Sequence, residues 1–541
     1  MTQTSTAQPA ANTDAVEMLD ALVIGAGVTG LYQLHKLRTL GVNARIFEAG
    51  GGVGGTWYWN RYPGCRFDSE SYSYGYSFSA ELINEWDWKE HFSGQPENER
   101  YLNFVADKFG LKPHIRCNAR VKSAIYDEKS GRWEIQTEDG HRASTQFLIA
   151  AVGILSASNM PNIPGIESFA SKSFHTSRWP HAEVDFAGKR VGVIGTGATA
   201  IQLIPEVAKL ASHLAVFQRT PQYAAPLYNA EISSAEQAQI KADTPAIIKK
   251  CESTFAGFLH DFDPRATFEV SEEERLAHFE KIWATPGFAK WFGGFHDMLT
   301  NREANEVYAE FIRNKIRARI TDKALAEKLV PTDYAFGSRR VPMETGYYEA
   351  YNRANVTLVD LRESALERVT PKGVKTVDAK YELDILIYAT GFDAITGELT
   401  RMDIRGEGGV SIKERWAEGP RTNLTVGVAG FPNLFVANGA VFCNFPRCAE
   451  TIAEWVSDCI GYMNKGGYTR IATTEAAEDA WTEHSNSLVE GMLFTETDSW
   501  FMGTNIPGKK RNFLFYAGGV PAFRQKCADV AAKGYEGFVL S

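Results

Sequence analysis

The stretch LDALVIGAGVTGLYQLHKLRTLGVNARIFEAG, residues 19–50, decides the fold. Leu19 to Ile24 is an apolar run that reads as a buried strand, and Gly25, Gly27 and Gly30 follow it at GxGxxG spacing. A helical pattern runs from Leu31 to Leu40, and a second strand ends at Glu48, 23 residues after Gly25. Each glycine has a reason to be there. Gly25 permits a tight turn, Gly27 lets the backbone approach a pyrophosphate, and Gly30 lets the helix pack closely on the sheet. The unpaired N–H groups at the helix start then face the phosphates, and Glu48 is placed to accept hydrogen bonds from a ribose.

The motif recurs in KRVGVIGTGATAIQLIPEVAKLASHLAVFQRTPQ, residues 189–222, with Gly195, Thr196, Gly197, Thr199 and Ala200 at the turn. Here the strand ends in Gln218 and Arg219, where the first copy ends in Glu48. A carboxylate at that point would repel a 2′-phosphate, whereas a neutral residue followed by arginine welcomes one, so the second site is expected to prefer NADPH to NADH. A third piece, YELDILIYATGFD (381–393), reads as one strand from Tyr381 to Tyr388 followed by a turn from Ala389 to Asp393. On its own that turn could end any strand; in the third position of this order it resembles the segment by which two-dinucleotide flavoenzymes return the chain to the flavin domain.

At 541 residues the chain is too long for one compact core. Its composition, 44% hydrophobic and 23% charged, is that of a soluble enzyme, and the net charge of −9 without a long basic run argues against nucleic acid or an anionic membrane as partner. Residues 1–18 carry no secretory leader pattern and read as a disordered tail, and no apolar run is long enough to span a bilayer. Seven scattered cysteines suit reduced thiols and a cytoplasmic location. The histidines show no metal-ligand spacing, so no metal site is expected.

Two dinucleotide motifs leave several flavin chemistries open. A disulfide reductase needs a cysteine pair soon after the first glycine motif, but residues 50–68 (GGGVGGTWYWNRYPGCRFD) contain Cys65 alone. The later pair, Cys443 and Cys448, reads as ordinary buried thiols or pocket lining. The remaining motifs point elsewhere. FASKSFHTSRWP (169–180) matches FxGxxxHxxxW-Pro through Phe169, His175, Trp179 and Pro180, with Ser171 at the glycine position. GGxWxxxxYPGxxxD is met by Gly54, Gly55, Trp57, Tyr62, Pro63, Gly64 and Asp68.

With these motifs the chain resembles the type I Baeyer–Villiger monooxygenases, class B flavoprotein monooxygenases, over essentially its whole length beyond the N-terminal tail. The resemblance implies an α/β fold with two Rossmann-like domains, for FAD and NADP, and a helical insertion. The expected limits are 19–155 and 385–541 for the FAD domain, 156–225 and 330–384 for the NADP domain, and 226–329 for the insertion. It implies a reaction in which NADPH, FAD and O2 convert a ketone into an ester or lactone by way of a C4a-peroxyflavin. Arg340, in FGSRRVPME, would be the catalytic charge stabilising anionic oxygen, held in place by Asp68, while Arg339 would clamp the 2′-phosphate with Arg219.

The same resemblance places Gly55, Trp57, Asp68, Val121 and Asp393 at the cofactors and Gln202 and Thr220 at NADP. It puts Trp500 near both the nicotinamide ribose and the substrate, and makes Phe442 and Phe445 candidates for substrate contact. The position of His175, 20 residues before Gly195, suggests a latch between the domains instead of a catalytic base. Alternatives in view are an N- or S-oxygenating relative, an NADPH oxidase, and a flavin-retaining binding protein. The identity of the ketone and the oligomeric state are not set by the sequence, which is compatible with a monomer.

Overall fold

The computed structural model describes residues 16–541. Strand β1 (Glu17–Ile24), helix α1 (Val28–Thr39) and strand β2 (Ala44–Phe47) form the first dinucleotide unit. Residues 21–24 of β1 are buried without alternation, as expected of a parallel strand covered on both faces. Glu17 and Met18 lie in β1, so the expected tail is at least two residues too long, and its first 15 residues fall outside those described. β1 pairs in parallel with β2 and with Arg142–Ala150 at the centre of an eight-stranded sheet. Late segments, Asp403–Arg405 and Leu434–Val436, join the same sheet.

The second sheet is fully parallel and contains β3 (Lys172–His175), β4 (Arg190–Ile194), β5 (His213–Gln218), β6 (Ile385–Tyr388) and Val356–Asp360. Helix α2 (Ala198–Leu210) links β4 to β5. Two expectations change here. Tyr381–Tyr388 is not one strand: Lys380–Glu382 belongs to a small antiparallel sheet, and only β6 enters the large one. Because β6 hydrogen-bonds in register with β4 and β3, the domain boundary expected at 385 moves to the turn 389–393.

The chain crosses between the sheets through two segments that run side by side. Asn159 N–H donates to Gly391 O (2.9 Å), Asp393 N–H to Ala157 O (2.9 Å), and Thr390 Oγ1 to Asn159 O (2.6 Å). Between β5 and β6 the chain builds helices Ser234–Ser253, Glu272–Ala284, Ala289–Phe292, Arg302–Arg317 and Lys323–Leu329. Reciprocal capping boxes at Ser233/Glu236 and Ser271/Glu274 fix the starts of the first two. Helix α3 (Phe445–Gly466) packs back on α1, where Tyr32 Oη meets Glu454 (2.9 Å) and Gln33 Nε2 meets Ser457 Oγ (2.8 Å).

Candidate active site

A single cleft of about 1800 Å³, its open mouth included, starts at the first glycine turn and ends in an aromatic chamber. Gly25, with φ +104°, turns the chain beneath Ala151, and Gly30 packs so closely that a Cβ would lie 1.8 Å from Gly25 O. Residues 54–57 fold over this turn through Gly54 N–H to Ala26 O (3.0 Å) and the close approach of Gly55 to Gly27. Glu48 is buried and accepts from the N–H groups of Ala26 (2.7 Å) and Gly50 (2.6 Å). Burial pushes its carboxyl upward, opposed by those two donors and by Arg120 and Arg178. Thr29, in the first turn of α1, has a buried hydroxyl with no partner in the protein. Val121 and the buried Trp57 line the same cleft.

At the chamber end, Arg340 Nη2 donates to Asp68 Oδ2 at 2.8 Å. Asp68 is 1% exposed and also accepts from Met343 N–H (3.1 Å) and Gln202 Nε2 (3.4 Å), so three donors hold it still. Arg340 Nη1 is buried without a partner. Facing it are Phe258, Phe288, Trp291 and Phe292 from the helical insertion, and Phe442, Phe445, Trp500, Phe501 and Phe515 from the C-terminal part. Behind Phe288 and Trp291, Lys290 is fully buried, with its ammonium 4.5 Å from the Tyr228 ring centroid and donating to Thr285 O. Burial pushes that amine down to about 7.

Gly195, Thr196, Gly197, Thr199, Arg219 and Thr220 lie at or just after the second glycine turn and β5, and none of them lines this cleft, whereas Trp500 does. Gly195 has φ +108°, Thr196 Oγ1 donates to Thr220 O (2.9 Å), and a Cβ on exposed Gly197 would meet nothing within 4 Å. Thr199 and Thr220 are half-buried, and Arg219 is exposed at the end of β5. Arg339 stacks on Tyr334 (4.2 Å) and donates through Nε to Asp498 O (2.9 Å), in the segment that carries Trp500.

Gln202 and Asp393, both expected at the cofactors, have partners within the protein. Gln202 accepts from Tyr62 Oη (2.9 Å) and donates to Arg66 O (2.9 Å), tying α2 to the loop that carries Asp68. Asp393 pairs with Lys509 at 2.7 Å. Cys443 and Cys448 are joined as a disulfide, because the turn before α3 brings the two sulfurs together, and Cys443 lies on the cleft wall; of the two readings, the buried thiols are corrected and the pocket lining holds for Cys443.

In the 169–180 stretch, His175 ends β3. Its Nδ1 accepts from Ser177 N–H (3.2 Å) and lies 2.7 Å from Ser177 Oγ, while Nε2 lies 3.4 Å from Thr390 Oγ1 in the crossing segment. Burial pushes its pKa down to about 4, so the ring is neutral at pH 7. Trp179 is buried against Phe174 and Phe186. Ser171 is exposed and has no positive φ, which explains why serine serves where the motif has glycine. Phe169 packs against the second sheet's core, and Pro180 is half-buried.

The model of the flavin-binding monooxygenase-like family matches residues 20–225. The 2-oxo-Delta(3)-4,5,5-trimethylcyclopentenylacetyl-CoA monooxygenase of Pseudomonas putida is 48% identical, covering 97% of this chain and 98% of its own. The cyclohexanone 1,2-monooxygenase of Acinetobacter sp is 42% identical over 96% of each. The chain belongs to the type I Baeyer–Villiger monooxygenases. The crystal structure of OTEMO in complex with FAD and NADP superposes with a TM-score of 0.94 at 48% identity, covering 97% of this chain and 100% of that one. The enzyme is thus an FAD- and NADPH-dependent monooxygenase of two dinucleotide-binding folds. The cleft fits FAD on its own features: a glycine turn, an unpartnered Thr29 hydroxyl at a helix start, and a buried carboxylate at ribose distance along the motif. Among the described residues no helix is long and apolar enough to cross a membrane, and no cluster of three or more His, Cys, Asp or Glu could hold a metal.

Sequence reasoning missed Thr29, Arg120, Arg178, and the four aromatic residues contributed by the insertion. Thr29 had a readable signal, a hydroxyl inside the GxGxxG turn. The insertion aromatics had none, since nothing in their spacing separates a cleft wall from ordinary core packing.

Proposed function

We propose that the cleft orients FAD so that its reactive edge meets Arg340, and that an apolar ketone occupies the aromatic chamber. One oxygen atom of O2 enters beside the ketone carbonyl, the other leaves as water, and NADPH supplies the two electrons. When bound, FAD supplies the redox chemistry that activates O2. The chain's own residues supply the rest. Gly25, Gly27, Thr29 and the start of α1 hold the diphosphate, Glu48 holds the ribose, and Gly55, Trp57 and Val121 close over the cofactor. Gly195, Thr196, Gly197, Thr199, Thr220, Arg219 and Arg339 receive NADPH, the two arginines taking the 2′-phosphate.

The observation that carries this reading is Arg340. One arm of its guanidinium is committed to Asp68, the other is buried and unpartnered, and the residue lines the chamber. A fixed guanidinium in a site walled by aromatic rings stabilises negative charge developing on oxygen far better than water would, because it needs no reorganisation. Asp68 is the positioning residue, and its burial with three donors is what aims the arginine. Phe442, Phe501, Phe515, Trp291 and Trp500 exclude water, which suits cyclic or aryl ketones over small polar ones.

The test is a panel of cyclic, aryl and linear ketones in which NADPH consumption and product identity are followed together. Ester or lactone in proportion to NADPH consumed supports the reading. Consumption with hydrogen peroxide alone would establish an oxidase instead, and N-oxide or sulfoxide without any ester would establish a heteroatom oxygenase.

A further inference from the structure

Arg178 belongs to the 169–180 stretch, yet its side chain does not serve the second sheet. It lines the same cleft as Gly25, Glu48 and Val121. Its guanidinium lies 4.4 Å from the ring centroid of Trp59, also a cleft residue, and is fixed there by two carbonyls: Nη1 donates to Ser177 O (3.0 Å) and Nη2 to Ser156 O (3.2 Å). Those carbonyls belong to the turn after His175 and to the segment crossing between the sheets.

The charges around Arg178 do not balance. Arg120 is paired with Glu398 at 2.8 Å, whereas Arg178 has no carboxylate at ion-pair distance among the described residues. Arg120 and Arg401 add positive charge nearby, against Glu398 and the already committed Glu48. Burial, and then Arg120, push the Arg178 guanidinium below its ordinary value. A half-buried cation held over an indole, with two neutral acceptors and a second cation beside it, is costly unless an anion faces it from the cleft. The anionic group that fits this end of the cleft, beside the ribose-directed Glu48, is the phosphate-bearing adenosine half of the flavin cofactor.

We infer that Arg178 is a cofactor-binding residue that grips the adenosine-diphosphate half of FAD, so that the 169–180 stretch is part of the flavin site as well as of the second sheet. The inference rests on FAD occupying the cleft. It gives the stretch a mechanical sense: His175 is tied to Thr390 in the crossing, and three residues later Arg178 is tied to Ser156 and reaches the cofactor. The crossing between the sheets therefore bears directly on FAD.

The test is FAD retention by the holoenzyme, read as flavin fluorescence released on serial dilution, for wild type, Arg178→Met and Arg178→Lys. Methionine keeps much of the side chain's length and apolar contact while removing charge and donors. The expected result is a dissociation constant for FAD raised tenfold or more in Arg178→Met, with partial recovery in Arg178→Lys, and a gap between Met and wild type that narrows in high salt. Unchanged FAD retention in Arg178→Met would overturn the proposal. So would an equal loss in both variants accompanied by an equally lowered unfolding temperature of the FAD-stripped proteins, since that marks a structural role. The readout involves no turnover, so its failure leaves the monooxygenase reading intact, while failure of that reading would show in product identity.

Discussion

At the first glycine turn Thr29 and Glu48 are buried, residues 54–57 are hydrogen-bonded across the top, and Gly55 presses on Gly27. At the second, Gly197 is exposed with open space around it, and the strand ends in exposed Arg219. The same strand–turn–helix motif is thus finished in two ways. A site roofed by its own chain suits a cofactor that stays through many turnovers, and an open one suits a cosubstrate that must leave after each. The third motif position shows the same divergence: Gly30 has no room for a methyl group, while Ala200 carries one in a fully buried place.

Substitutions can break this contrast. The largest effect is expected outside both turns. Arg340→Ala should lower ester formation by about a hundredfold or more, while NADPH still reduces the flavin, as rapid-mixing absorbance would show. Ester formation at the wild-type rate would remove Arg340 from its role. Gly30→Ala should cost about 2 kcal/mol or more and yield flavin-poor protein, because its Cβ would strike Gly25 O. The mirror change, Ala200→Gly, should cost only about 1 kcal/mol, measurable by denaturant unfolding. Arg219→Ala should raise KM for NADPH about tenfold, leave KM for NADH and FAD retention in place, and so separate the two sites.

The smallest effect is expected at His175. Its pKa is about 4 in the folded protein against 6.5 for the free side chain, so between those values the unfolded chain binds a proton that the folded one refuses. Its contribution to stability is therefore complete above pH 6.5 and is lost as pH falls toward 4. His175→Gln should flatten that part of the melting-temperature profile by a few degrees. An unaltered profile would mean that the imidazole is not held neutral by burial.

Much of the architecture was legible because the dinucleotide motif couples residue type to backbone geometry within about 30 residues. Gly25, Gly195 and Glu48 could be read one at a time. Side-chain partners drawn from distant segments could not. Gln202 sits where a nucleotide contact is expected, yet its amide is spent on Tyr62 and Arg66, about 140 residues away in the chain. Asp393 is likewise met by Lys509, and the aromatic wall around Phe288 and Trp291 depends on how the insertion folds back. The break of Tyr381–Tyr388 into two sheets is a tertiary outcome too, since its first residues find antiparallel partners before β6 begins.

The two crossing segments lie against each other, so residues 160–390 form an excursion that leaves and re-enters the first sheet's unit at nearly one place. Asp68 lies before that excursion and Arg340 within it, so their 2.8 Å ion pair joins two separable stretches of chain. The positive charge proposed to act on oxygen is therefore supplied by the excursion. A gene fragment encoding only the outer segments would have the glycine turn for FAD and the carboxylate for Arg340, but not the arginine. The ion pair is therefore also a joint, and anything that lets the excursion shift against the outer segments separates Arg340 from Asp68.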